Sequence, residues 1–177
     1  MSRPLPLPLP LPLASPRVSR RAPQVPLPAY AFVPGLQPHP MKGAGGHRHL
    51  ADGGPAEPPG LQWWAGWRFL HGLDLLDHGY LWEAHEVLEH LWLADPDDAQ
   101  RRALLQGLIQ AAAAALTLHL GRAEAGARLA GRSAARLRAA LPGVPGLEGA
   151  ALAALAERVE GLPGGATWRG VAVDPTD

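Results

Sequence analysis

Fifteen of the chain's twenty prolines stand before residue 61, and this asymmetry separates what can become helix from what cannot. Proline removes a backbone donor and its ring clashes with the preceding helical turn. Residues 4–13 alternate Pro and Leu throughout, a pattern that favours extended polyproline II and buries nothing on its own. Residues 43–60 are again rich in Gly and Pro and read as a linker. We therefore expect residues 1–60 to form a disordered tail and linker, residues 61–162 a folded domain, and residues 163–177 a C-terminal tail.

The apolar run after Met1-Ser2-Arg3 is a poor secretory signal, because proline interrupts it and no small-x-small cleavage site follows. Ser19-Arg20-Arg21 is followed by Pro-rich rather than apolar sequence, unlike a twin-arginine signal. No stretch approaches the unbroken apolar length of a membrane helix. The chain is expected to be cytoplasmic. The 117 residues from Leu61 onward can bury about two-thirds of their unfolded surface, enough for a core without staples. With no cysteine there is no disulfide, thiolate metal site or cysteine nucleophile. That same region holds ten basic against fourteen acidic side chains, an unfavourable balance for nucleic acid.

Periodicity predicts an all-α bundle of about five helices. The first runs from Leu61 to Asp77, with Trp63, Trp67, Leu70, Leu73 and Leu76 at helical spacing and Gly79 at its end. The second covers Leu81 to Leu93. Asp95-Pro96-Asp97-Asp98 then reads as a cap, a first-turn proline and acids facing the helix dipole, opening a third helix that ends at Leu120. A fourth covers Ala123 to Ala140 and a fifth Leu147 to Glu160. Nothing alternates with period two, so no sheet is expected. Gly79 and Gly121 each precede a Glu-Ala pair, a tetratricopeptide-like turn that suggests two helical hairpins packed into a bundle.

The second helix carries the chemistry. His78, Trp82, His85, Glu89 and Trp92 share one sector, Glu83, Glu86 and His90 the adjoining one, and the remaining arc is largely apolar. Its only basic side chains are histidines. His85/Glu89 and Glu86/His90 at i, i+4 can converge on one divalent cation, with His85, Glu86, Glu89 and His90 as ligands to Zn, Fe, Ni or Mn. The order His-Glu-x-x-Glu-His differs from the His-Glu-x-x-His of metalloproteases and lacks the Glu-x-x-His of di-iron bundles. Two other readings compete: a satisfied polar network in which Glu89 orients His85 and Trp indoles donate to carboxylates, or a carboxylate–histidine general base built on Glu86, Glu89 and His85.

On the third helix Gln106, Gln110 and Thr117 line one face among the small residues Ala103, Gly107, Ala113 and Ala114. Buried glutamines need partners, and the acids and imidazoles of the second helix are the nearest candidates. Glu83, Trp82, Trp92, Gln106 and Gln110 thus become ligand-binding or supporting positions. His119 falls on the opposite side from Gln106, at the helix end. Arg128, Arg132 and Arg136 form a stripe best read as a solvated face. His47-Arg48-His49 is too short for a metal tract. Trp63, Trp64 and Trp67 suit core packing or an oligomer contact.

The run Gly79-Tyr-Leu-Trp-Glu-Ala-His-Glu-Val-Leu-Glu89, then Trp92, then Leu105-Gln-Gly-Leu-Ile-Gln-Ala-Ala-Ala113 resembles the family called domain of unknown function 309. The resemblance spans about Phe69 to Leu141 and implies a small all-helical bundle with no assigned activity. Its signature falls here on Glu83, His85, Glu86, Glu89, Trp92, Gln106 and Gln110. Two functional expectations follow: a small-ligand or divalent-metal site at the His/Glu/Gln cluster, or a helical interaction module, homodimeric or holding another partner.

Overall fold

The computed structural model describes residues 19–50, 53–94, 97–166, 168 and 170–171. A 3-10 turn at Trp63–Ala65 precedes α1 (Trp67–Asp77), α2 (Leu81–Ala94), α3 (Ala99–His119), α4 (Ala123–Ala139) and α5 (Gly149–Gly161). The fold is an all-α bundle. α1 packs on α2, α2 on α3, α3 on α4 and α4 on α5, so neighbours in sequence are neighbours in space. Phe69, Leu73, Leu76, Leu88, Leu104, Leu108, Leu137 and Leu152 are fully buried where these helices meet. None of the described helices is long and apolar enough to cross a membrane.

Both expected hairpin turns form. Gly79 (φ +79°) and Gly121 (φ +75°) adopt the left-handed backbone that only glycine takes without strain. Tyr80 N donates to Leu75 O and Arg122 N to Thr117 O, closing both helix ends with the same six-residue bond. The stripe of small residues on α3 also does what its spacing suggests. A Cβ on Gly107 would lie 2.7 Å from Leu137, and Ser133 Oγ donates to Gly107 O at 2.7 Å, so α4 lies close against α3.

Some boundaries differ from the sequence reading, each for a local reason. Gly66 is extended (φ −69°, ψ 145°) and splits the expected first helix into the 3-10 turn and α1. The cap of α3 is Asp98, whose carboxylate accepts from Arg101 N at 2.9 Å, and not Asp95. Asp95 and Pro96 lie outside the described residues. A two-residue hairpin was not expected either. β1 (Gly143–Val144) pairs antiparallel with β2 (Leu147–Glu148) around Pro145-Gly146, with Gly146 at φ +85°. This pairing takes up Leu147 and Glu148 and delays the start of α5.

The largest departure concerns the segments expected as tails. Residues 1–18, with the Pro-Leu repeat, and 172–177 lie outside the described residues. Residues 19–50, however, form an irregular strap across α1 and α2. Ala22, Val25 and Val33 are fully buried, the first two against Trp67. Proline excludes helix but not burial, and an extended chain can still give side chains to a core. Near the other terminus Trp168 Nε1 donates to Leu76 O at 2.8 Å and Val171 is buried.

Candidate functional site

The strap is held to the bundle by two aspartates. Asp74 and Asp77 lie on α1 and are wholly or almost wholly buried. Asp74 accepts Arg21 N at 2.8 Å on one oxygen and Ala22 N at 2.9 Å on the other. Asp77 accepts the Arg21 guanidinium at 2.5 Å and Val171 N at 2.6 Å, so it ties both terminal segments to the same helix end. A buried carboxylate is tolerable only when its oxygens are met by donors, and these donors come from residues that sequence reading had assigned to tails.

Farther along, the strap crosses α2. Phe32 N donates to Glu83 Oε1 at 2.9 Å. His47 Nδ1 accepts from His49 N at 3.0 Å, which fixes the tautomer, so Nε2 carries the proton and donates to Glu83 Oε1 at 2.9 Å. His49 Nε2 meets His71 Nε2 of α1 at 2.8 Å, one imidazole donating and the other accepting. Arg48 (φ 49°) and Leu50 (φ 61°) are both left-handed, a conformation that costs a non-glycine residue about 1–2 kcal/mol. Strain of this kind on both sides of one histidine is a mark of functional segments.

A cavity of about 420 Å³ lies between strap, α1 and α2. His47, His49, Trp67, Arg68, Trp82 and Glu83 contribute to its lining, and Glu86, Val87 and His90 extend it along α2. The volume falls within the roughly 300–1,000 Å³ of small-ligand clefts. Burial pushes the Glu83 carboxyl up from its ordinary value, against the opposing pull of the His47 and Phe32 N–H groups. Burial first, then the charge of His47, lowers His49 to about 4. Burial and then the charge of His49 lower His71 to about 3. At neutral pH both imidazoles are uncharged.

The cluster expected on α2 divides between two places. Trp82, Glu83, Glu86 and His90 line the cavity. His85, Glu86 and Glu89 each bring one ligand atom within 4.8 Å of the others, on an open surface beside it. His85 Nδ1 stands 3.5 Å from Glu86 Oε1. His90 does not join that trio. The expected link to α3 is absent among the described residues: Gln106 makes no hydrogen bond to α2, and Gln110 Oε1 is buried without a partner. Trp92 Nε1 is likewise unpartnered, so it donates to no carboxylate, while Arg102 stacks 4.6 Å from its ring. His119 closes the last turn of α3. The arginine stripe is exposed, with Arg128 3.8 Å from Glu124. Trp67 is buried, and Trp63 and Trp64 are half-buried against the core.

Sequence reading missed His47, His49, His71, Arg68 and Asp74. One signal was available for two of them. His71 and Asp74 share the face of α1 that carries Trp67 and lie fully buried in it, and polar side chains on such a face need partners. No spacing rule could have named the partners, which lie 22 residues from His71 and 53 from Asp74.

Among curated proteins and solved structures, none matches the chain. A family model does, over the stretch from α1 into α4 that carries the α2 cluster. Residues 69–129 match the family described as a domain of unknown function (DUF309).

Proposed function

We propose that this protein binds a small ligand in the cavity between the strap, α1 and α2. The observation that carries this reading is the cavity itself, about 420 Å³, with Glu83 and the imidazoles of His47 and His49 set among indole and aliphatic walls. A few polar groups in a largely apolar cleft fit the usual anatomy of such sites. The test is a ligand-detected binding screen with small fragments on the full chain, repeated on Val87→Phe. Val87 lines the cavity and is nearly buried, so the larger ring fills the space. Saturable binding lost in that variant supports the reading; binding that survives it places the ligand elsewhere.

A second reading has its own support. The convergence of His85, Glu86 and Glu89 within 4.8 Å suits a divalent cation, with one imidazole and two carboxylates as donors. Elemental analysis of protein purified without chelator or histidine tag tests it. Near-stoichiometric metal that disappears in His85→Ala supports a metal site, and a metal-free protein with unchanged stability in that variant rejects it.

A further inference from the structure

Among the described residues around the cavity, a buried acceptor and a cation stand without a partner. His47 is fully engaged, accepting at Nδ1 and donating at Nε2. Glu83 Oε1 takes two N–H donors, from Phe32 and His47. Glu83 Oε2 is buried and takes none. An unmatched carboxylate oxygen in a 2 % exposed residue is a costly thing to leave. His49 cannot supply the missing donor through Nε2, which already faces His71. A donor on an occupant would complete Glu83, and a carboxylate prefers it on a cation.

Arg68 is the second unmatched group. Its guanidinium lies over the Trp67 ring at 4.6 Å, and no acid among the described residues pairs with it. A plain amine in this cavity would share it with an uncompensated like charge. Glu86, the other acid of the lining, is exposed beside His85 and makes no ion pair with Arg68. A ligand positive at one end and negative at the other leaves neither Glu83 nor Arg68 unpaired. The indoles of Trp67 and Trp82, with Met41, Leu50 and Val87, leave room for an apolar body between the charges.

We infer that the occupant is a small amino-acid-like zwitterion, its ammonium held at Glu83 Oε2 and its carboxylate at Arg68. This rests on the cavity reading above and adds the chemical class of the ligand.

Calorimetric titration of the full chain with four probes tests it: tryptophan, tryptamine, indole-3-propionate and indole. These keep one apolar body and remove the carboxylate, the amine or both. Tryptophan is expected to bind at least tenfold more tightly than the other three. Arg68→Gln, at a half-buried position, should weaken tryptophan and, by removing the like charge, tighten tryptamine, so that the two affinities converge. Glu83→Gln should weaken tryptophan and tryptamine but not indole-3-propionate; should it not fold, Arg68→Gln decides alone. Tryptamine binding as tightly as tryptophan, with Arg68→Gln silent, overturns the inference. Four equal affinities, or no binding by any probe while some other fragment is lost in Val87→Phe, also overturn it and leave the cavity reading standing. No fragment binding at all overturns both.

Discussion

Glu83 and Glu86 stand one helical turn apart on α2 and have opposite surroundings. Glu83 is 2 % exposed and takes two N–H donors from the strap. Glu86 is exposed, with His85 at 3.5 Å. Helical spacing alone assigns both to one polar sector. The difference arises because the strap crosses the helix over one position and leaves the other open. A carboxylate's chemistry is set by what covers it: burial raises the Glu83 carboxyl, whereas an open surface leaves Glu86 free to meet a cation.

Four perturbations probe this contrast, beginning with the strap itself. Deleting residues 1–50 strips Val33 and Phe32 from the core and uncovers Glu83 and His71 together. Buried apolar side chains of this size each stabilise by roughly 1.5–3 kcal/mol. A loss of more than about 3 kcal/mol in denaturant unfolding is expected on that basis. An unchanged midpoint would mean that the bundle stands without the strap.

Asp74→Ala comes next. It orphans the backbone N–H groups of Arg21 and Ala22, and bonds to a charged acceptor contribute roughly 1.5–3 kcal/mol each. The same unfolding assay, with hydrogen exchange at Ala22 as a local readout, checks it.

Glu83→Ala and Glu86→Ala form the direct comparison. The first leaves Phe32 N–H and His47 Nε2–H without an acceptor, at about 1–3 kcal/mol per buried donor. The second removes an exposed group and should stay within about 0.5 kcal/mol. Equal losses would erase the distinction drawn between the two faces.

The last effect is on the slope of stability with pH. Folding holds His49 neutral to about 4 and His71 to about 3, whereas unfolded imidazoles take a proton near pH 6.5. Between pH 6.5 and 3 the unfolded chain binds protons that the native chain refuses. Their contribution is therefore intact above 6.5 and falls as the pH drops, by at most about 1.4 kcal/mol per pH unit for each proton. Glu83 acts in the opposite direction, because a raised carboxyl binds its proton more readily in the folded state. Glu83→Gln should steepen the acid loss and His71→Phe should flatten it. Chemical unfolding at several pH values measures both slopes.

The fold class and the two hairpins were legible because their causes are local. Gly79 and Gly121 stop helices through their own backbone freedom, and the apolar positions of α1 through α5 repeat at 3.6 residues wherever the helices lie. Legibility weakened where several local signals competed: Asp95, Asp97 and Asp98 could each cap a helix, and the structure uses Asp98. The candidate site was legible only in part. Trp82, Glu83, Glu86 and His90 could be named from the helix wheel, but not the split between a covered face and an open one. That split depends on pairs such as His47 with Glu83, 36 residues apart, and Arg21 with Asp74, 53 apart. Local propensity stops at the element's end, whereas burial is decided by which distant segment comes to lie on it. A proline-rich strap has no periodic pattern to announce where it will lie, so the sequence determined the helices and their turns. Only the tertiary structure decided that residues 19–50 cover α1 and α2, and that this cover makes a cavity out of one side of a polar helix face.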